Sequence, residues 1–114
     1  TFDLAGVQFS NATPAAIPAI YVSGGAGTAI AGIGDCEIGT GFNPQMTIGN
    51  AAEIVQDTRI HDNKIVGAAA SVPIAIGAGA NNTQVIANVS RGSGATLPTD
   101  AGTGSNIALN IWGA

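Results

Sequence analysis

The stretch Ile60-His-Asp-Asn-Lys-Ile65 decides the fold, because a hexad of the same pattern recurs along the chain. Its first, fourth and sixth places are apolar or small, and the copies begin 29, 27 and 25 residues apart. Such spacing indicates one structural unit repeated in tandem. The four hexads are Leu4-Ala-Gly-Val-Gln-Phe9, Ile33-Gly-Asp-Cys-Glu-Ile38, Ile60-His-Asp-Asn-Lys-Ile65 and Val85-Ile-Ala-Asn-Val-Ser90.

A second, alternating strand follows each hexad after a loop. These strands cover residues 19–22, 45–48, 73–76 and 106–111. The conserved order of hexad, loop, strand and loop predicts an all-β solenoid of about four coils, in which each coil lies on the previous one. Parallel strands then stack about 4.8 Å apart, so Ile33 and Ile60 are expected one strand spacing from each other.

The third place of the hexad is predicted to be a one-residue corner between two short strands. Gly6, Asp35 and Asp62 suit a corner with left-handed backbone, because glycine adopts that conformation freely and aspartate tolerates it. Ala87 does not suit it, and Ser90 is the misfit at the sixth place.

The fourth place of the hexad is predicted to form an inward column. Asn63 and Asn88 share this column, where stacked amides can hydrogen-bond along the solenoid axis. Cys36 occupies the same column and is interpreted as a small buried hydrophobe.

Composition excludes several classes of function. The 114 residues carry a net charge of -4 with three Lys and Arg residues, which offers little to nucleic acid phosphates. No apolar run reaches the roughly 18 residues of a membrane span. A single cysteine, Cys36, allows no internal disulfide and no multi-thiolate zinc site. We therefore expect one domain over 1–114 without nucleic acid, membrane or metal, and the polar segment 92–104 is predicted to leave the solenoid as an excursion loop.

Several segments together resemble a known family. VQFSN, AIYVSGG, IGDCEIG, IHDNKIVG, VPIAIGAG and NNTQVIANVSRG are similar to coils of a right-handed parallel β-helix of the pectate-lyase-like superfamily, and most of all to phage tailspikes and tail fibres. The resemblance implies a homotrimer located in the virion tail, outside the cell. It implies contacts with other virion proteins and with host cell-surface polysaccharide, and no cofactor.

Two classes of function follow from this resemblance. The first is a structural and host-receptor-contacting module of a tail spike or fibre, with a capsid decoration protein as a close variant. The alternative is a fragment of a polysaccharide lyase or hydrolase, whose candidate catalytic residues are Asp35, Asp62, Glu37 and His61. Asp35 and Asp62 are expected about 5 Å apart, which is the carboxylate separation of a retaining glycosidase. We favour the interpretation that both aspartates only form corners.

The remaining candidates are binding residues on the outer surface. Tyr21 and Trp112 are suited to stacking on a sugar or on a neighbouring chain, and both are expected to point outward. Lys64 is a binding candidate and is also predicted to form a cross-strand ion pair with Glu37. A polar cluster on the third coil, from Glu53 to Lys64, is a candidate patch or a solvated face.

Overall fold

The computed structural model describes residues 2–11, 15–24, 31–51, 54–66, 71–91 and 97–112, with Phe2 described by its backbone alone. These residues form short strands and turns, and no helix occurs among them. The strands in chain order are β1 (Phe2–Ala5), β2 (Gln8–Phe9), β3 (Ile20–Val22), β4 (Ala31–Gly34), β5 (Glu37–Ile38), β6 (Met46–Ile48), β7 (Val55–Gln56), β8 (Arg59–His61), β9 (Lys64–Val66), β10 (Ile74–Ile76), β11 (Ala80–Asn81), β12 (Gln84–Ile86), β13 (Val89–Arg91), β14 (Thr99–Asp100) and β15 (Asn106–Ala108).

The strands assemble into three main parallel sheets. Sheet 1 has the order β1-β4-β8-β12-β15, sheet 2 the order β2-β5-β9-β13 and sheet 3 the order β3-β6-β10-β14. Strands β7 and β11 form an additional short parallel pair. Because neighbouring strands of each sheet come from successive passes of the chain, the sheets stack as a β-solenoid. The solenoid has about three turns. This is fewer than the four coils expected, although five hexads contribute strands to sheet 1.

The predicted hexad register is confirmed. Ile33 lies beside Ile60, and Ile60 lies beside Val85, so the first places form one column in sheet 1. Ser90 lies beside Ile65 and is fully buried, so this misfit keeps the inward sixth place without any slip of register.

The third place is a left-handed corner in every hexad. Gly6 has φ 68°, Asp35 φ 52° and Asp62 φ 55°. Ala87 adopts the same conformation with φ 59°, although alanine does not favour it. Position in the coil therefore overrides residue preference at this corner.

The structure contains a fifth hexad where an alternating strand of sheet 3 was predicted. Strand β15 pairs with β12 in sheet 1, with Ile107 beside Val85, so 106–111 belongs to the hexad column and its assignment to the second strand is wrong. Leu109 is the corner of this hexad, with φ 58°. A leucine at the corner hid the pattern, because leucine is not a residue of left-handed turns.

A second column of left-handed corners precedes sheet 1. It consists of Asp57 (φ 55°), Asn82 (φ 57°) and Gly104 (φ 69°). Backbone hydrogen bonds join them along the axis, since Asp57 N–H donates to Asn81 O and Asn82 N–H to Thr103 O. The unit is thus longer than a hexad and begins at this second corner.

The segment 92–104 is only partly an excursion. Thr99 and Asp100 pair in parallel with Ala75 and Ile76, and Thr103 forms a parallel bridge with Asn81. Residues 97–104 therefore lie on the solenoid and supply the last strand of sheet 3. Both residues of β14 are exposed, so no apolar alternation signals this strand in the sequence. Residues 92–96 lie outside the described residues.

The interior combines an apolar core with a polar ladder. The apolar part is built mainly from isoleucine, and Ile33, Ile38 and Ile60 are completely buried. The ladder fills the fourth-place column: Asn63 Nδ2 donates to Asn88 Oδ1 (2.9 Å), and Asn88 Nδ2 donates to Asn110 Oδ1 (3.0 Å). This confirms the predicted axial bonding of the asparagines and extends it by one rung.

Each ladder amide also binds the backbone of neighbouring coils. Asn63 Oδ1 accepts the N–H of Cys36 (3.0 Å), and Asn88 Oδ1 accepts the N–H of Asn63 (3.1 Å). In the other direction, Asn63 Nδ2 donates to Ile33 O and Asn88 Nδ2 to Ile60 O, both at 3.0 Å. The side chains therefore satisfy backbone groups that the corner removes from regular strand pairing.

Cys36 ends the ladder. Its thiol is buried, and Sγ lies 3.4 Å from Gly34 O and 3.9 Å from Leu4 O. Asn63 binds the carbonyl of Ile33, the first-place residue of the preceding coil, and the thiol of Cys36 contacts the carbonyl of Leu4, which has the same place one coil earlier. The thiol therefore takes the position of a ladder amide, but its hydrogen bonds are much weaker.

Candidate functional site

The two candidate catalytic aspartates lie at neighbouring corners between sheets 1 and 2. Asp35 follows β4 and Asp62 follows β8, and these strands pair in register up to Gly34 and His61. Both carboxylates are exposed. They line a shallow surface depression of about 250 Å³ together with Glu37, Lys64 and Cys36. The depression brings three of the four candidate catalytic residues to one place on the surface.

His61 is close to one of these aspartates. Its Nδ1 lies 2.9 Å from Asp62 Oδ2, and the imidazole is 31% exposed. The ring covers Gly34, since a Cβ on that glycine would overlap the imidazole atoms. His61 is thus held against sheet 1 beside its carboxylate neighbour and is only partly exposed.

The predicted ion pair between Glu37 and Lys64 is not formed. The two residues are register partners on β5 and β9, as expected. However, the one salt bridge within the described ranges joins His61 and Asp62. Glu37 Oε2 instead accepts a long hydrogen bond from Gln8 Nε2, at 3.5 Å. An exposed ion pair stabilises by little, so the register alone does not impose this contact.

A groove on the outer side of sheet 2 combines the candidate binding residue Lys64 with Arg91, which the sequence analysis did not select as a candidate. It has a volume of about 220 Å³ and lies between β5, β9 and β13. Two of the chain's three cations, Lys64 and Arg91, line it together with the carboxylate of Glu37, and Val66 and Val89 contribute apolar surface. The sequence did contain a signal for Arg91. Extending the hexad register by one residue pairs Arg91 with Val66, and the alternation of β9 and β13 then places both on this outer face.

The two aromatic candidates have different environments. Tyr21 is 46% exposed on sheet 3, as expected, and its hydroxyl accepts a hydrogen bond from Asn50 Nδ2 at 2.6 Å. Trp112 is partly buried and packs against the hydrophobic core, so the expectation that it points outward is wrong. It is the sixth-place residue of the fifth hexad, and that place faces inward.

The polar cluster of the third coil is spread over the surface. Asp57 Oδ1 accepts a hydrogen bond from Asn82 Nδ2 at 2.6 Å at the second corner. Arg59 is exposed on sheet 1, between Gly32 and Gln84 in register. Glu53 lies outside the described residues. The cluster is therefore a set of separate surface contacts rather than one site.

The arrangement limits the chemistry available on the described surface. Among residues 2–11, 15–24, 31–51, 54–66, 71–91 and 97–112, no group of three or more His, Cys, Asp and Glu side chains is placed to hold a metal ion. The same ranges include no helix long and apolar enough to cross a membrane. The groups that lie together are Asp35, Asp62 and His61 at the corner and the two cations beside sheet 2.

Comparison with known proteins adds no further assignment. No protein-family model, no curated protein and no solved structure matches this chain.

Proposed function

We propose that the chain is a structural and host-receptor-contacting module of a phage tail spike or fibre, with the solenoid right-handed and three copies forming a trimer. In this proposal the module belongs to the virion tail, outside the cell, and contacts other virion proteins and a host surface polysaccharide. It needs no cofactor for this role.

The observation that carries the proposal is that the buried and corner polar side chains support the backbone of the solenoid. The buried asparagines bind backbone groups of three successive coils, and the corner aspartates occupy left-handed positions. These roles fix the path of the backbone and make a regular solenoid. Such a solenoid uses its polar side chains to support its own backbone, which suits a structural module that presents a surface.

The alternative, a polysaccharide-cleaving fragment, rests on the corner depression. Asp35 and Asp62 lie at adjacent corners and His61 contacts Asp62, so acid and base groups are close together. The described part of the depression, however, presents no aromatic side chain to hold a sugar ring. We therefore favour binding without cleavage.

The test compares binding and cleavage on the full chain. Purified bacterial surface polysaccharides are incubated with the protein, retention is measured by co-sedimentation, and released reducing ends are quantified. We expect retention by at least one polysaccharide and no release. Release that disappears in Asp35→Asn with Asp62→Asn, while the circular dichroism spectrum is unchanged, would establish the enzyme instead.

A further inference from the structure

The second column of corners is followed by a column of hydroxyl side chains. Thr58, Thr83 and Ser105 each come directly after one of these corners, in successive coils. Both threonines are completely buried, and Ser105 is partly buried. The ladder asparagines hold the same place after the hexad corners. The two columns are therefore equivalent positions of the coil, and they differ in carrying hydroxyls instead of amides.

The backbone N–H that follows each corner is paired in one column and unpaired in the other. After the hexad corners, the Cys36 N–H donates to Asn63 Oδ1 and the Asn63 N–H donates to Asn88 Oδ1. After the second corners, neither the Thr58 N–H nor the Thr83 N–H finds an acceptor among the described residues. Buried N–H groups without any partner are rare, because leaving one unpaired is costly.

The hydroxyl oxygens of this column are unpaired as well. Thr58 Oγ1 and Thr83 Oγ1 make no hydrogen bond within the part of the chain that the structure describes. A hydroxyl oxygen lies one bond nearer the backbone than an amide oxygen, so Thr83 Oγ1 does not reach the N–H of Thr58 as an asparagine would. The two threonines lie in adjacent coils, since Gln84 N–H donates to Thr58 O, and equivalent atoms of adjacent coils are about 4.8 Å apart. One molecule that makes two hydrogen bonds of about 2.8 Å spans such a separation.

The side chains around this column are smaller than those around the asparagine ladder. At the hexad corners, the inward residue three places before the ladder position is Ile33 or Ile60. At the second corners, the residue three places before the threonine is Val55 or Ala80. All four of these residues are buried in the same core. The reduced side-chain volume on this side of the core favours a small occupant.

The chemistry of the unpaired groups calls for a neutral occupant that both donates and accepts hydrogen bonds. Each rung offers an N–H, which pairs only with an acceptor, and a hydroxyl, which carries no charge. A metal cation has no use for the N–H, and an anion finds no positive charge in a column of Thr58, Thr83 and Ser105. Water meets both requirements, and buried waters are typically held by about two to four polar groups that would otherwise be unpaired.

We propose that a buried water molecule completes the rung between Thr58 and Thr83. Its oxygen accepts the N–H of Thr58, and one of its hydrogens is donated to Thr83 Oγ1. In the asparagine ladder, the amide of Asn63 also donates to the first-place carbonyl of Ile33. The second hydrogen of the water is therefore assigned to the matching carbonyl at the second corner, Val55 O. The water thus makes the same three contacts as a ladder amide.

A second water completes the next rung, between Thr83 and Ser105. Ser105 Oγ donates its proton to Asp100 Oδ1 at 3.0 Å, so the same oxygen remains an acceptor. This water accepts the N–H of Thr83 and donates to Ser105 Oγ. The solenoid then has two axial ladders: amides join the coils at the hexad corner, and hydroxyls with water join them at the second corner.

The test is a high-resolution crystal structure of the full chain and of three variants, with hydrogen exchange of the Thr58 N–H measured by NMR. In the wild type we expect a water oxygen within about 3.2 Å of Thr58 N and of Thr83 Oγ1. Thr83→Val keeps the shape of the side chain without the acceptor, so the water should be absent and the Thr58 N–H should exchange about tenfold faster. Thr83→Asn should displace the water with its own Oδ1, and the Thr58 N–H should exchange no faster than in the wild type. Thr99→Val is the matched control, because it removes a threonine hydroxyl from the exposed strand β14 and should change neither measurement.

Three results would overturn the proposal. The first is a wild-type structure in which the Thr58 N–H bonds directly to a protein oxygen, or in which side-chain atoms occupy the position of the water. The second is a water that keeps its place in Thr83→Val, since Thr83 then does not hold it. The third is decisive even if the valine variant does not fold: Thr83→Asn that retains the water, with the Thr58 N–H unpaired by the new amide, would show that the two columns are not equivalent.

Discussion

The asparagine ladder makes a quantitative prediction about stability at Asn88. Its side chain is 1% exposed and joins three coils. Oδ1 accepts from the N–H and the Nδ2 of Asn63, at 3.1 and 2.9 Å, while Nδ2 donates to Ile60 O and to Asn110 Oδ1, both at 3.0 Å. Replacement by alanine removes every one of these bonds at once.

The cost follows from which groups lose their partner. The amide of Asn63 keeps its bond to Ile33 O, and Asn110 Oδ1 keeps the N–H of residue 88. The buried backbone N–H of Asn63 loses the partner described for it, which costs roughly 1–3 kcal/mol. With the weakened bonds at Ile60 O and Asn110, we expect Asn88→Ala to lower the free energy of unfolding by about 2–4 kcal/mol.

The assay is urea denaturation at one fixed protein concentration, followed by far-ultraviolet circular dichroism. Asn106→Ala is the matched control, because Asn106 is an exposed asparagine on β15, where such a change alters stability by less than about 0.5 kcal/mol. If Asn88→Ala unfolds with the same free energy as this control, the ladder does not stabilise the solenoid and the reasoning above is refuted.

Two further predictions concern the corner and the end of the ladder, and both use the same denaturation assay. Ala87→Gly should raise the free energy of unfolding by about 0.5–1 kcal/mol. Glycine relieves the left-handed strain at φ 59°, and the larger conformational entropy that glycine loses on folding cancels part of this gain. A loss of stability would show that the corner is not strained. Cys36→Asn should leave stability unchanged or raise it by up to about 1 kcal/mol, because an amide there can reach the Leu4 and Gly34 carbonyls that the thiol now contacts. Hydrogen exchange should then show slower exchange of the Val7 N–H, as the new Oδ1 reaches the preceding coil, and faster exchange there would contradict an extended ladder.

The features that could be predicted from the sequence are those fixed by burial. The first and sixth places of the hexad must face inward together, because a one-residue slip would expose the whole apolar set. This determined the register of Ile33 on Ile60 and the inward position of Asn63. The corner was predictable for a related reason, since Gly6 and Asp62 are residues that favour left-handed backbone.

The features that could not be predicted lack such a constraint. Exposed side chains choose among many rotamers at similar free energy, so the register partners Glu37 and Lys64 do not determine an ion pair. Strand β14 has both side chains exposed and gives no periodic signal. The fifth hexad did carry a signal that was missed: Asn110 follows its corner as Asn63 and Asn88 follow theirs.

A longer pattern would have found this last coil. The second corner is followed each time by a small hydroxyl residue, giving the pairs Asp57-Thr58, Asn82-Thr83 and Gly104-Ser105. Each pair precedes the hexad corner by the same number of residues. The repeating unit therefore includes both left-handed corners, the second corner and then the hexad corner. Residues 104–112 fit this unit, although their hexad corner is Leu109.

The ladder also explains why two corners accept residues that disfavour them. At two corners the next residue is not asparagine: Gly6 is followed by Val7, and Asp35 is followed by Cys36. Both of these corner residues tolerate the left-handed conformation on their own. The corners formed by Ala87 and Leu109 are each followed directly by a ladder asparagine.

In the second group, the strain of the corner is offset by the hydrogen bonds of the next side chain. The Asn110 amide donates to Val85 O at 2.8 Å and to Ala108 O at 2.9 Å, one coil back and across its own corner. These two bonds hold the backbone on both sides of Leu109 in place, so the left-handed conformation is imposed by its neighbour. Once the ladder imposes the corner, the corner residue no longer has to favour that conformation. Its side chain is then free to vary, and equivalent corners carry residues as different as Ala87 and Leu109.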